Sequence, residues 1–487
     1  MSDDTTPTPP TDAGGSLPGG VPTTPCPLQC PNMEIEVNNT SATNDDWVQL
    51  KCKLDCRARA IGNPPSDATV VLTNPDGRLR FPDDVDTTKT LILPRNGAWV
   101  PFQISGKIKS NAVGDAVIKA HCQSVTGPVV MTQNVTVVAV ELDGLFHPNG
   151  NAVELPNINN LSPLPIADQI AHRTIKFKFT PLGITVGKTV QWTFAQSGMQ
   201  GGVLTAGVVR GVFPAAHNTH LEMEPGFNFD PATQQSTIDN NGNAAVRVNM
   251  PPIAFNKGRL KVHFVGRPGC VREVDFEVPG IVVIDPGHGG NANVGGSSSN
   301  NATSASGVLE KNMTLDFSRL VETALNASPH NIDVFMTRNA DVNLGLAARA
   351  NIARDNAADV FLSIHMNGFN GVAHGTTTHI RPNGNDQINY VEDRALATRI
   401  VNAVLVVNPV TNRAANVVDQ GLGVLRDSSL GNTAAFHKTR ACLLEVDFID
   451  VPRVDVNLNT GPNAAANRQA ICNAIRDAII NDMLNQP

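Results

Sequence analysis

The sequence predicts two all-β, sandwich-like modules followed by an α/β layer domain with a mostly parallel sheet. Three observations carry that prediction. The 487 residues are too many for one compact core and make about three domains the natural partition. Residues 31–279 carry short β-branched runs broken by turn residues. From Ile281 onward, continuous apolar runs alternate with helical periods, as they do around a sheet buried on both faces.

Residues 1–30 repeat Pro, Thr and Gly with no hydrophobic period, a composition that predicts a disordered tail. Within 31–142, Trp47-Val48-Gln49-Leu50, Ala68-Thr69-Val70-Val71-Leu72, Thr90-Leu91-Ile92-Leu93 and Asn134-Val135-Thr136-Val137-Val138 read as strands. Asn74-Pro75-Asp76-Gly77 reads as a turn between two of them. Their spacing predicts a β-sandwich. Within 143–279, Arg173-Thr174-Ile175-Lys176-Phe177-Lys178-Phe179 and Arg259-Leu260-Lys261-Val262-His263-Phe264 alternate strictly between apolar and polar, and Asp239-Asn240-Asn241-Gly242-Asn243 marks a turn. A second sandwich or barrel is expected there. Within 280–487, the runs 281–284, 360–364 and Leu443-Leu444 predict buried strands. Apolar residues at 309, 313, 317, 320, 321 and 324 form one helical stripe, and 402–407 and 471–484 belong to further helices.

The formal charge of −7 and the absence of any Lys/Arg block argue against nucleic acid or an anionic membrane as the main partner. Aromatic residues are 5% of the chain, with Tyr390 the single tyrosine, which disfavours a base-stacking platform. No run reaches the ~18 apolar residues a membrane span needs. Of eight cysteines, Cys26, Cys30, Cys52 and Cys56 form two C-x3-C pairs, open to reading as thiols, disulfides or a metal knuckle. Cys442 and Cys472 sit in apolar surroundings and read as small core residues.

Four residues stand where an α/β sheet gathers its chemistry, at the carboxyl ends of strands and the start of a helix. His288 follows the first strand in Asp285-Pro286-Gly287-His288-Gly289-Gly290, where the glycines allow a sharp turn. Glu310 opens the helix after an Asn/Ser/Gly-rich loop, His365 ends the strand 360–364, and Glu445 ends 441–444. Two neutral imidazoles and one carboxylate are the ligand set of a hydrolytic Zn²⁺, which keeps a position for water. A further carboxylate must then move the proton, a role that Glu445 fits. Each residue also has an ordinary reading: a turn histidine at 288, a carboxylate favoured by the helix dipole at 310. Asp285 is placed to accept a ring N–H or to brace the turn. His374, His379 and His437 are candidates to line a groove, while the other histidines have no metal-like context.

At these residues the sequence resembles the zinc-dependent N-acetylmuramoyl-L-alanine amidases of the amidase-3 type. The blocks that carry the resemblance are the Asp285 to Gly290 motif, Leu309-Glu310-Lys311-Asn312, Met336-Thr337-Arg338, Leu346-Ala347-Ala348-Arg349-Ala350-Asn351, the segment 358–367 and Leu443-Leu444-Glu445-Val446-Asp447-Phe448, in the family's order. The resemblance covers 280–487 and implies a three-layer α/β domain. It implies His288, Glu310 and His365 as zinc ligands, Glu445 as the catalytic glutamate, and Arg338 and Arg349 as braces of the fold. The implied reaction is hydrolysis of the amide between N-acetylmuramic acid and the L-alanine of the stem peptide. Two departures stand out: the loop 291–308 is long for the family, as a lip over the groove or as slack, and Asp447 adds a carboxylate near Glu445.

Residues 1–20 hold neither a basic nor an apolar leader region. The expectation is therefore a protein made in the cytoplasm without an ordinary secretion signal, acting on the cell wall after another route of delivery. A lysin, or an effector of a contractile injection system, would fit, with the β modules docking to an injection machine or phage particle. The alternatives are a structural or adaptor component whose amidase-like domain only binds the wall, and a zinc peptidase cutting another stem-peptide bond.

Overall fold

The computed structural model describes residues 32–37, 47–49, 52–82, 88–106, 113–146, 171–199, 220–250, 253–384, 387–408, 416–434 and 437–485. The tail expected over 1–30, with Cys26 and Cys30, lies outside them. The chain divides into two compact units, Met1–Val137 and Val138–Pro487.

In the first unit, an antiparallel sheet runs in the order Asn32–Val37, Lys53–Ile61, Val100–Gly106, Leu79–Arg80. A second set orders Thr88–Leu93, Ala68–Thr73, Gly114–Cys122 and residues 129–137 of the strand Val129–Phe146. Side chains alternate across each strand, so Leu54, Cys56, Ala58 and Ala60 are buried in one sheet and Ala116, Ile118 and Ala120 in the other. The predicted turn closes between Ala68–Thr73 and Leu79–Arg80 with the Gly77 N–H donating to the Asn74 carbonyl, 3.2 Å away. Cys52 and Cys56 are both buried.

The β-rich part of the second unit does not pair its strands in sequence order. Ala171–Thr180 lies between residues 139–146 and Asn243–Met250, whereas Thr189–Met199 pairs with Asn256–Phe264, which then pairs with Arg272–Glu277. Alternation identifies a buried face but not a partner, which is why this pairing is invisible in the sequence.

The C-terminal part is an α/β domain of six strands and four main helices. In chain order these are β1 (Gly280–Pro286), α1 (Glu310–Asn326), β2 (Ile332–Met336), α2 (Leu346–Asp355), β3 (Val360–Asn367), β4 (Thr377–Ile380), α3 (Tyr390–Val407), β5 (Val417–Asp419), β6 (Arg440–Phe448) and α4 (Ala464–Leu484). The sheet order is β2-β1-β3-β6-β4-β5. β2, β1, β3 and β6 are mutually parallel, and β4 is antiparallel to β6.

Continuous apolar strands make sense here because successive residues feed opposite cores. Val282, Ile284, Leu362, Ile364, Cys442 and Leu444 join Phe317, Leu396, Ile400 and Ile475 from α1, α3 and α4. Ile281, Val283, Phe361, Ala441 and Leu443 join Ala350 and Ala353 from α2. The sheet is thus covered on both faces, and the carboxyl ends of β1, β3 and β6 open at one edge. Cys442 and Cys472 are fully buried core residues, and burial pushes both thiols up. Among the described residues no helix is long and apolar enough to cross a membrane.

Candidate metal centre and active site

The site begins where β1 ends. His288 has φ +61°, a left-handed backbone that costs a residue with a Cβ roughly 1–2 kcal/mol. Two buried arginines hold the turn in that shape. Arg349 donates to the carbonyls of Pro286 (2.7 Å) and His288 (2.8 Å), and Arg338 donates to those of Pro286 (2.9 Å) and Gly287 (2.8 Å). Asp285 pairs with Arg349 at 2.7 Å and accepts from Thr337 and Ser363. Burial alone would raise its carboxyl, but the Arg349 charge and those two hydroxyls outweigh burial and hold it below its ordinary value. Asp285 therefore braces the turn; its partners include no histidine.

Gly287 is a glycine because His365 lies over it: a Cβ there would sit 2.4 Å from the imidazole Cε1. The two rings meet edge to face, with centroids 4.7 Å apart. His288 Nδ1 donates to the Ser298 carbonyl at 3.0 Å, with the Ser298 hydroxyl 2.9 Å away. Donation from Nδ1 turns Nε2 inward, where it is buried and faces Glu310 Oε1 at 3.1 Å.

Glu310 is the first residue of α1, yet its carboxylate does not cap that helix. Oε2 accepts the Ala302 N–H (2.8 Å) and Oε1 accepts the Met366 N–H (3.1 Å), so it bridges the loop before α1 to the end of β3. Its place in the first turn of α1 still suits the helix dipole, but its hydrogen bonds go to other elements. Oε1 also lies 3.1 Å from His288 Nε2 and 3.1 Å from His365 Nδ1. Burial opposes ionisation, but the two imidazoles outweigh it and hold the carboxyl well below its ordinary value.

One ligand atom from each of His288, Glu310 and His365 lies within 4.8 Å of the others. Ligands about 2.0–2.2 Å from a tetrahedral Zn²⁺ stand roughly 3.4 Å apart, close to the 3.1 Å seen here. The sequence thus identified three residues that do come together and can hold a metal ion. Glu445 aligns with His365 across β3 and β6. Its Oε2 is buried without a partner, and burial first, then the Glu310 charge, raise its carboxyl to about 8.

The other expectations divide. Asp447 has no part in the shift of Glu445: it accepts the N–H groups of Gly375 (2.7 Å) and Phe448 (2.8 Å) and the Asn408 amide (2.9 Å). His379 on β4 is close enough to His365 for their charges to interact; burial, then His365, lower its pKa against a bond with Gln420. His437 bonds Asn389 near the start of β6. Five strand residues, about 16 Å, separate that end from Glu445, so His437 lies off the groove. The loop 291–308 is not slack, and its residues 296–298 line a cavity beside the two histidines. Ser298 orients His288, the Ala302 amide fixes Glu310, and Leu346 donates to the Gly295 carbonyl at 3.1 Å. Sequence reasoning missed those supports, because serine and alanine in a Ser/Asn/Gly-rich loop carry no distinguishing pattern. It also missed a cavity of about 180 Å³ beside the two histidines, lined on its apolar side by Leu346, Leu422, Val424 and Leu443.

Comparison with known proteins bears on this geometry. Residues 282–477 match the amidase-3 family, described as N-acetylmuramoyl-L-alanine amidase. The C-terminal part of the chain is an amidase-3 domain. Similar proteins include the N-acetylmuramoyl-L-alanine amidase CwlM of Bacillus licheniformis, 38% identical over 90 residues, which are 18% of this chain and 32% of CwlM. AmiC of Neisseria meningitidis serogroup B is 39% identical over 89 residues, 18% of this chain and 19% of AmiC. The chain therefore spans a third or less of the curated relatives it matches first. Among solved structures, an N-acetylmuramoyl-L-alanine amidase from Clostridium difficile 630 aligns at 23% identity over 43% of this chain and 98% of its own, with a TM-score of 0.35. The match confines the family assignment to the domain that carries the His288, Glu310 and His365 cluster.

Proposed function

We propose that the amidase-3 domain is a peptidoglycan hydrolase that cuts the amide between N-acetylmuramic acid and L-alanine, with His288, Glu310 and His365 holding Zn²⁺. The observation that carries this reading is the convergence of His288 Nε2, the Glu310 carboxylate and His365 within 4.8 Å of one another, with a buried, unpartnered oxygen of Glu445 on the strand alongside. That donor set fits Zn²⁺ in both element type and spacing. When bound there, the ion lowers the pKa of water and polarises the scissile carbonyl.

The chain's own groups supply the rest. Ser298 fixes the His288 tautomer, and the amides of Ala302 and Met366 fix both oxygens of Glu310. Glu445 takes one proton from the attacking water as the water oxygen bonds to the carbonyl carbon. It then delivers that proton to the leaving nitrogen as the C–N bond breaks. Burial suits Glu445 to carrying a proton near neutral pH, and a cation in the trio favours the carboxylate form needed to accept one. An adaptor that only binds the wall has no use for a costly buried carboxyl at this position.

Purified protein incubated with cell-wall sacculi and Zn²⁺ is expected to release free stem peptides that begin with L-alanine, identified by mass spectrometry. A chelator should stop the release and added Zn²⁺ should restore it, while Glu445→Ala should slow it by about 10²–10⁴-fold. Fragments cut within the stem peptide would replace this reading with a peptidase. Turnover that persists in chelator would remove the metal.

A further inference from the structure

The loop joining β3 to β4 leaves the proposed centre within three residues of the Met366 amide that holds Glu310. Its backbone is tied down at nearly every step. Asp450 Oδ2 accepts the N–H groups of Phe369 (3.0 Å) and Gly371 (2.7 Å), and Asn370 Oδ1 accepts those of Val372 (3.1 Å) and Ala373 (2.9 Å). Gly368 lies so close to Ala302, the residue whose amide bonds Glu310, that a Cβ would come within 2.8 Å of the alanine methyl. From this fixed backbone two apolar side chains stand out into solvent, Phe369 at 77% exposure and Val372 at 73%. A single exposed apolar residue is ordinary. An exposed aromatic ring and a valine on one immobilised loop, with Phe369 no more than about 11 Å of chain from a residue holding Glu310, form a preorganised contact surface.

We propose that Phe369 and Val372 form a ledge that takes a sugar ring of the glycan strand, and so sets which half of the substrate lies on which side of the centre. This rests on the amidase reading given above. The substrate of that reaction has a sugar on one side of the scissile amide and a peptide on the other. A pyranose presents a face of C–H groups rimmed by hydroxyls, which suits an exposed aromatic ring in open solvent. The cavity beside His288 and His365 is built from different segments, around Leu346, Leu422, Val424 and Leu443, and none of its lining comes from 368–373. At about 180 Å³, with four aliphatic side chains facing Ser297, Ser298 and the two histidines, it is sized for an amino-acid side chain next to its amide more than for a whole pyranose ring. Placing the glycan on the ledge leaves the cavity to the stem peptide. Phe369 touches the substrate away from the reacting atoms, so its contribution is to binding and not to the proton transfer.

Two measurements on the full chain decide this. In the first, Phe369→Trp is titrated with glycan oligosaccharides stripped of their peptides, and its emission is compared with that of the parent chain, whose three tryptophans supply the background. A saturable shift that the parent lacks is the expected result. Emission that ignores stripped glycan, or responds only to free stem peptide, overturns the ledge. In the second, Phe369→Ala is assayed on polymeric peptidoglycan. KM should rise about tenfold with a smaller change in kcat and an unchanged melting temperature, and Phe369→Tyr should restore KM. An unchanged KM in Phe369→Ala also overturns the proposal. If the parent chain cleaves no wall amide, the amidase reading fails by itself, and the fluorescence titration still decides the ledge.

Discussion

Glu445 takes its chemistry from its surroundings more than any other residue in the site. Its carboxyl is raised from an ordinary 4.5 to about 8 because it is buried and faces the charge of Glu310. A raised folded-state value means that the folded protein binds more protons than the unfolded chain between those two pH values. In metal-free protein the resulting stabilisation is complete below about 4.5 and is lost as pH rises through about 8. Glu445→Gln keeps the size and removes the titration. Chelated wild type should therefore lose melting temperature relative to Glu445→Gln between pH 5 and pH 9, and parallel curves would show that the carboxyl is not held this way. This residue was legible in the sequence because a carboxylate at the end of an apolar strand is conspicuous. So were His288 and His365, each next to a strand end. Ser298 was not, since its use depends on a carbonyl and a hydroxyl meeting one ring nitrogen, and any loop residue supplies a carbonyl. Asp447 was misjudged for a related reason: sequence proximity to Glu445 suggested a charge contact, but its oxygens are taken up by Gly375, Phe448 and Asn408.

At the scale of elements, the design is a set of parallel strand ends whose turns are held by groups from elsewhere. The unbroken apolar runs of β1, β3 and β6 are enough by themselves to mark strands buried on both faces. The reversal of β4 against β6 was not visible, because a short strand reads the same in either direction. A tight point that bears directly on the site is Gly287 on the turn after β1. Any side chain there collides with His365 from β3, at 2.4–2.7 Å for three atoms of the ring. Arg338, Arg349 and Asp285 fix the turn independently of that glycine, through bonds to Pro286, Gly287 and His288. Gly287→Ala is thus expected to leave the fold in place and push the imidazole aside. Zn²⁺ affinity, read by calorimetric titration, should fall by about 10–100-fold, the range typical of disturbing the support of a metal ligand. Full affinity in Gly287→Ala would mean that His365 is free to move without consequence, against its proposed role as a ligand.

At the scale of the molecule, the β-rich part of the second unit and the amidase-3 domain share a core. Phe255 sits at the start of the strand Asn256–Phe264, fully buried and with φ +63°, held by its N–H to the Val278 carbonyl at 2.8 Å. Yet its ring belongs to the amidase core. It clusters with Val282, Phe317 and Met483, lies 5.3 Å from the His330 ring, and would be 3.0 Å from a Cβ at Gly280. The composition change at Ile281 located the start of the α/β pattern. It gave no hint that a residue 26 positions earlier completes that core, because burial by a neighbouring module leaves no period in the sequence. Removing that ring opens a cavity walled by both parts, which should cost about 3–5 kcal/mol. Phe255→Ala should accordingly lower the urea midpoint of the transition that includes the amidase-3 domain, followed by the loss of the proposed amidase activity, and not only the midpoint of a separate β-module transition. If the amidase-3 domain melts unchanged in Phe255→Ala while the β-rich strands loosen, the two parts are joined only by the chain. The buried Phe255 would then be a passive contact.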